Sequence, residues 1–281
     1  MCTVSWIHTS SGYQLLFNRD ERNTRKPALA PAIHETAGVR FIAPVDGDHS
    51  GSWIAVNELG ITFSLVNRYR CLHCSGERHP QPPSRGLLLI GLADCHSLEE
   101  AQSRFDSLDL AAYQPFTVVV LAPGRPSLLL HWTGRDSLIE CNGEAEMPLT
   151  SSSFDSRGVE VYRKRLFNEL AKERGRVDLP LLMDFHASHV PTPSAYSPCM
   201  HRENAQTVSF SRVTVGDGVI EFVHFPVPPC ARRAREVTAD TLSKWKLVQM
   251  RIALPQRRRA AESFSQEHAP VRHSEGLVSR V

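Results

Sequence analysis

The sequence predicts an α+β fold in which helices cover a pair of stacked antiparallel sheets. Three observations carry this expectation. Strand-like and helix-like segments come in blocks (strands, helices, strands, helices, strands), as in layered α+β proteins. Neighbouring strand-like segments are joined by short turn sequences, "TSSG", "NELG" and "GDG", which read as hairpins. Several strand segments, such as "FTVVVL" and "SLLLHW", are apolar at successive positions, so both their faces need cover.

From the start, "TVSWIH" is β-branched and aromatic, "TSSG" is a turn and "YQLLFN" a second strand. A hairpin folded about Ser10-Ser11 sets Cys2 opposite Arg19, within a residue or two, and brings Asn18, Arg19 and Asp20 to the thiol. "ERNTRKPALAPAIHETAG" reads as a loop. "GSWIAVNELGITFSLVN" is a second hairpin turning at Asn57–Gly60, with Ser52, Trp53 and Asn67 at one end. "RYRCLHCSGERHPQPPSR" is polar and Pro-rich, a surface loop. A helix starts at a Ser84 cap. Another has a capping box, Ser97 with Glu100, and an apolar stripe of Leu98, Ala101, Phe105 and Leu108. "PFTVVVLAP", "SLLLHWT", "DSLIECN" and "EMPLTSS" read as strands, "FDSRGVEVYRKRLFNELAKERG" as an amphipathic helix, "DLPLLMDFHASH" as a shorter one, and "TVSFSRVTVGDGVIEFVHFP" as a final hairpin. Residues 1–254 are read as one domain. Residues 255–281, charged and weakly periodic, are read as a mobile tail.

Composition narrows the function. The 281 residues carry a net charge of +2, with 41% apolar and 22% charged residues, which calls for neither nucleic acid nor an anionic membrane as partner. No secretory signal is visible, and the longest apolar runs, such as "GLLLIGLA", fall short of a bilayer span. Seven irregularly spaced cysteines point to reduced thiols and a cytoplasmic location.

The chemistry concentrates at the chain start. Removal of Met1 would leave Cys2 with a free α-amine beside its own thiol. An amine of pKa about 7.7–8.0 can accept the proton of a thiol near 8.5, which is the N-terminal nucleophile arrangement. Arg19 is expected to favour the thiolate and bring its pKa below about 8.5. Asp20 would hold the ammonium or orient Arg19, and Asn67 would support an oxyanion. Asn18 and Trp53 are the candidate substrate contacts. The plainer alternative is a small buried Cys2 beside a salt-bridged hairpin end.

Other signals are weaker. Cys71, His73, Cys74 and His79 contain a CxxC pair, but no second ligand pair has standard zinc spacing. His186 and His189 form an i, i+3 pair able to ligate metal or haem, although such helix-end pairs are more often solvated. "RRAR" and "QRRR" read as solvated surface. No metal and no cofactor is expected.

"MCTVSW" followed by "FNRDER", "GSWIAVNELGITFSLVNRY" and "SRGLL" resembles the NRDE family, bacterial relatives of transport and Golgi organisation protein 2. The resemblance covers about the first third of the chain most strongly. It implies the four-layer αββα sandwich of N-terminal-nucleophile hydrolases, with Cys2 in the nucleophile position, as in bile-salt hydrolases and penicillin V acylases. Arg19 and Asp20 match the polar pair beside the thiol. Two departures stand out. Leu149-Thr150-Ser151-Ser152 replaces a Leu-Ser-Asn of relatives, removing an expected amide, and Gly51-Ser52-Trp53 replaces Gly-Thr-Trp. The expectation is therefore a cytoplasmic cysteine amidohydrolase acting on a non-peptide C–N bond of a small molecule. The rival is a carrier or chaperone of an apolar ligand, such as haem or an acyl chain, since some members of the family are described as haem-trafficking or lipid-related.

Overall fold

The hairpin at the chain start forms in the expected register. In the computed structural model, which describes residues 2–69, 82–232 and 246–252, β1 (Cys2–Thr9) pairs with β2 (Gly12–Arg22) and sets Cys2 opposite Arg19. The turn needs glycine where β2 begins, because a Cβ on Gly12 would lie 1.9 Å from the Val215 carbonyl oxygen.

Two antiparallel sheets form. The first has β10 (Leu149–Ser151), β1, β2, β11 (Ala205–Gly216), β12 (Val219–Phe225) and β13 (Lys246–Arg251) side by side in that order. The second runs in sequence order: β3 (Leu29–Thr36), β4 (Val39–Val45), β5 (Ile54–Asn57), β6 (Thr62–Asn67), β7 (Phe116–Leu121), β8 (Leu128–Trp132) and β9 (Ser137–Cys141). Helices α1 (Arg85–Leu92) and α2 (Leu98–Asp106) cover the second sheet, and α3 (Ser156–Arg174) and α4 (Leu179–His186) the first.

Strand alternation distributes the apolar residues among three cores. Val4, Trp6, Leu15 and Phe17 meet Val66, Val119 and Leu121 between the sheets. Phe116, Val118 and Val120 face Leu88, Leu92 and Phe105 of the outer helices. Leu16 and Phe210 pack under Leu166, Phe167, Leu182 and Phe185. β7 is buried along its whole length because each of its faces serves a different core. This is the αββα sandwich.

The sequence reading differs in places. Leu29–Thr36 is an edge strand rather than part of a loop, and it pairs with Val39–Val45, to which the reading gave no element. Pro31 sits where a missing N–H is tolerated, and Leu29 and Ile33 stay exposed, so the segment lacks the periodicity of a covered strand. β13 was likewise unassigned. At α2 the Ser97 hydroxyl accepts the Glu100 N–H at 3.1 Å, while the Glu100 carboxylate reaches the His96 N–H at 2.8 Å, one residue before the position a capping box would use. The Cys71–His79 loop, the basic run beyond Arg232 and residues 255–281 lie outside the described residues. No described helix is long and apolar enough to cross a membrane.

Candidate functional site

The alternation that builds the cores also divides the expected cluster. Cys2 and Arg19 are paired and face the interior of the sandwich, whereas Thr3, Asn18 and Asp20 face α3 and α4. Asn18, expected to touch substrate, is fully buried on that far side, and its Nδ2 donates to the carbonyls of His186 (2.8 Å) and Pro198 (2.9 Å). Asp20, expected beside the amine or Arg19, accepts from Thr207 Oγ1 at 2.6 Å and faces Arg163 Nη1 at 3.5 Å, while the positive charge of the chain terminus also acts on it. Adjacent residues of a strand cannot both point into one cleft, and the tetrapeptide is all strand.

The other candidates come together. β6 lies against β1 across the sandwich, and Cys2, Arg19, Trp53 and Asn67 line one cleft of about 300 Å³. The Arg19 guanidinium stacks 4.2 Å from the Trp53 ring centre. It is ion-paired to Asp46 and lies 3.7 Å from Glu21. Asp46 also holds Arg25 at 2.6 Å and accepts the backbone N–H groups of Asp48 (3.0 Å) and His49 (2.9 Å). Burial alone would raise the Asp46 pKa, but those two N–H groups, Arg19 and Arg25 outweigh it and hold the carboxyl below its usual range.

Arg19 therefore does less for the thiol than expected. Cys2 is only 8% exposed, and burial pushes its pKa up. Asp20 and Glu21 push the same way, while the positive charge of the chain terminus and Arg19 oppose without reversing the shift. A guanidinium whose charge is shared with Asp46 is a poor thiolate partner.

The backbone nitrogen of Cys2 donates to Ser151 Oγ at 3.0 Å, since β10 places Ser151 opposite Cys2. The segment in which the sequence lacks an expected amide thus contributes a hydroxyl acceptor to the Cys2 nitrogen. The Asn67 side chain, at the end of β6, donates to Tyr69 Oη at 3.0 Å. The cleft floor is the first turn of α1, pressed against Gly51 and Ser52. A Cβ on Gly51 would come within 2.5 Å of the Gly86 backbone, and the Ser52 N–H donates to the Gly86 carbonyl at 3.1 Å. This contact carries Arg85 to the cleft. Its Nη1 donates to the Pro115 carbonyl at 3.2 Å, and among the described residues it has no carboxylate partner.

Behind the sheet stands Arg163, which the sequence reading missed. It is 1% exposed, and burial lowers its pKa. Its guanidinium donates to the hydroxyls of Thr3 and Thr150 and to the carbonyls of Tyr196 (3.1 Å) and Ser197 (2.9 Å), besides facing Asp20. Burial raises the Asp20 pKa, with Arg163 and Thr207 pulling the other way. The signal for Arg163 was present: it lies in register with Val159, Leu166 and Phe167, on the buried stripe of α3, where a cation needs partners. Asp46 had no such signal, because its segment carried no assigned element.

His186 and His189 do not act as a pair. His186 is fully buried, bonds Ser5 Oγ through Nε2 at 2.8 Å, and is pushed down to a pKa of about 3 by burial. His189 lies instead beside Cys199, His201 and Cys230.

The family described as Transport and Golgi organisation 2 matches residues 1–184. The chain belongs to this family. No curated protein matches it in sequence. Among solved structures it is similar to a Caenorhabditis elegans N-acylethanolamine-hydrolyzing acid amidase orthologue, at 14% identity and a TM-score of 0.54, over 91% of this chain and all of the other, 100%. A mutant conjugated bile acid hydrolase from Clostridium perfringens matches at 12% identity and a TM-score of 0.49, over 79% of this chain and 88% of the other. The fold is that of the N-terminal-nucleophile hydrolases.

Proposed function

We propose that this Transport and Golgi organisation 2 family member is an N-terminal-cysteine hydrolase that cleaves an amide C–N bond of a small molecule. The observation that carries the reading is the placement of Cys2. Its thiol lines the cleft, while its nitrogen lies 3.0 Å from Ser151 Oγ. With Met1 removed, that nitrogen is a primary amine of ordinary pKa about 7.7–8.0. Because burial keeps the thiol protonated near neutrality, the reaction needs such a base within reach.

In this reading the sulfur attacks the carbonyl carbon as the thiol proton passes to the amine. The oxyanion that forms is met by the Asn67 amide, turned from Tyr69, and by cleft N–H groups. The C–N bond breaks as the ammonium returns the proton to the departing amine. Water then attacks the thioester carbon and gives a proton to the same amine; the C–S bond breaks, the acid leaves, and the ammonium returns its proton to the Cys2 sulfur. Ser151 orients the amine, and Arg19, fixed between Trp53 and Asp46, sets the field at the thiol. Asp20 is a positioning residue that acts through Arg163 and Thr207. The small cleft and Arg85, which has no carboxylate partner among the described residues, suit a compact substrate with an acidic group. The name of one structural relative, an N-acylethanolamine-hydrolyzing acid amidase, denotes hydrolysis of a small-molecule amide, which agrees with this reading.

The rival reading, a carrier of haem or an acyl chain, is favoured by one observation: the thiol is raised rather than activated. The test is a panel of small N-acyl amides, with and without a carboxylate. A hydrolase cleaves at least one of them, Cys2→Ala abolishes cleavage, and that variant still binds the substrate. A carrier binds haem or acyl-CoA equally as wild type and as Cys2→Ala, and cleaves nothing.

A further inference from the structure

We propose that His189, Cys199, His201 and Cys230 form a structural zinc site, independent of the cleft, that locks the loop between α4 and β11 to the end of the first sheet. The four side chains come from three places: the loop after α4, the stretch leading into β11, and the short 3-10 turn Pro229–Arg232 that follows β12. Their ligand atoms all lie within 4.8 Å of one another.

The geometry fits a tetrahedral ion. Zn–S bonds of about 2.3 Å and Zn–N bonds of about 2.0–2.1 Å, at tetrahedral angles, set sulfur and nitrogen about 3.6 Å apart. Cys199 Sγ and Cys230 Sγ each lie 3.6 Å from His201 Nε2. The imidazoles of His189 and His201 stand 4.8 Å apart between ring centres and 75° apart in plane, so both can turn a nitrogen to one point. His189 Nε2 is buried and has no hydrogen-bond partner among the described residues, a costly state that a metal bond relieves. Two thiols and two imidazoles are the donor set that selects zinc. A shallow hollow lined by His189, Pro191 and Cys230 gives the ion an entry path.

A site closed by four protein ligands is structural rather than catalytic. What it would fix is clear from the hydrogen bonds of the loop. Tyr196 and Ser197 offer their carbonyls to Arg163, and Pro198 offers its own to Asn18. The proposed ion thus clamps the loop that holds Arg163 and, through it, Asp20 and Thr3 behind the nucleophile strand. The spacing His-x9-Cys-x-His-x28-Cys matches no common zinc signature, which is why the sequence did not show it. The expectation of no metal is revised by this proposal.

The test is metal analysis of the full chain made in cells and purified without chelators. About one zinc per chain is expected, lost to background in Cys230→Ser and His201→Ala and retained in Cys2→Ala and Cys71→Ser/Cys74→Ser. Should the first two variants fold poorly, His189→Asn, on the half-exposed loop, should still bind zinc at least tenfold more weakly. Cobalt added to the chelator-stripped chain should give the visible bands of a tetrahedral ion and a sulfur-to-cobalt charge-transfer band, both absent in Cys230→Ser. Three outcomes would each overturn the proposal. The first is no zinc in the protein and none taken up by the reduced apo form. The second is zinc that survives loss of Cys230 and His201 but disappears with Cys71 and Cys74. The third is a thiol count, in denaturant, two below the seven cysteines, with a Cys199–Cys230 disulfide in protein purified anaerobically.

Discussion

Arg163→Met tests whether the buried network behind β1 is a working part of the fold. The substitution keeps much of the volume and removes every donor. It takes from the Asp20 carboxyl the guanidinium it faces, and from the carbonyls of Tyr196 and Ser197 the N–H groups that Arg163 supplies. Removing one member of a buried ion pair costs about 3–5 kcal/mol, which for a chain of this size is a fall of about 10 °C in Tm. The deficit should depend on pH with a definite sign. Burial raises the folded pKa of Asp20, and Arg163 restrains that rise. A carboxyl raised in the folded state contributes stability that is complete below its unfolded pKa and is lost as pH rises through the folded one. Without Arg163 the folded pKa climbs further, so the variant should fall behind the wild type more at about pH 8 than at about pH 5. Adding Asp20→Asn should recover part of the loss, as coupled partners do. Urea unfolding followed by circular dichroism at both pH values measures this. A deficit below about 1 kcal/mol that is flat with pH, and not relieved by Asp20→Asn, would refute the network argument.

Three further outcomes follow from other contacts. Arg19→Met removes a charge that opposes the burial of the thiol, so alkylation of Cys2 should need a higher pH than in the wild type, and both should react more slowly than the exposed Cys141; an unchanged profile would contradict the pairing of Cys2 with Arg19. Ser151→Ala should lower kcat roughly tenfold on any amide the protein cleaves, about the value of one hydrogen bond, and a kcat equal to wild type would show that Ser151 does not orient the amine. Gly12→Ala drives a Cβ into the Val215 carbonyl and should cost about 1–3 kcal/mol in urea unfolding, so an unshifted midpoint would be inconsistent with the close passage of β2 and β11.

Much of the fold was legible because local and global signals agreed. Turn residues placed three hairpins, apolar runs announced strands covered on both faces, and the Ser97 cap placed α2. What was missed had weak periodicity for physical reasons. β3 is an edge strand with proline and exposed apolar residues, and β13 is a short strand with one buried residue, Met250. The site was half legible. Hairpin register gave Cys2 opposite Arg19, and the second hairpin put Trp53 and Asn67 at the same end. The reading erred where it grouped Asn18 and Asp20 with Arg19 by adjacency, since a strand sends neighbours to opposite faces. It also expected Arg19 to lower the thiol pKa, without the carboxylate of Asp46 that shares that charge. Residues drawn from distant segments, such as Ser151, Arg163 and the four around His201, meet only through the tertiary fold.

The central claim is that Cys2, with its own free amine, is the nucleophile. It is tested most directly by mass spectrometry of the N-terminal peptide, before and after brief exposure to an activated acyl ester. A chain made in cells should begin at Cys2 with an unmodified amine. That residue should carry a transient acyl group, which Cys2→Ala cannot form. A variant with a bulky residue inserted after Met1 to block its removal should show no turnover of the acyl group. Retained Met1, an acetylated Cys2, or an acyl group carried elsewhere while Cys2 stays unmodified would contradict it.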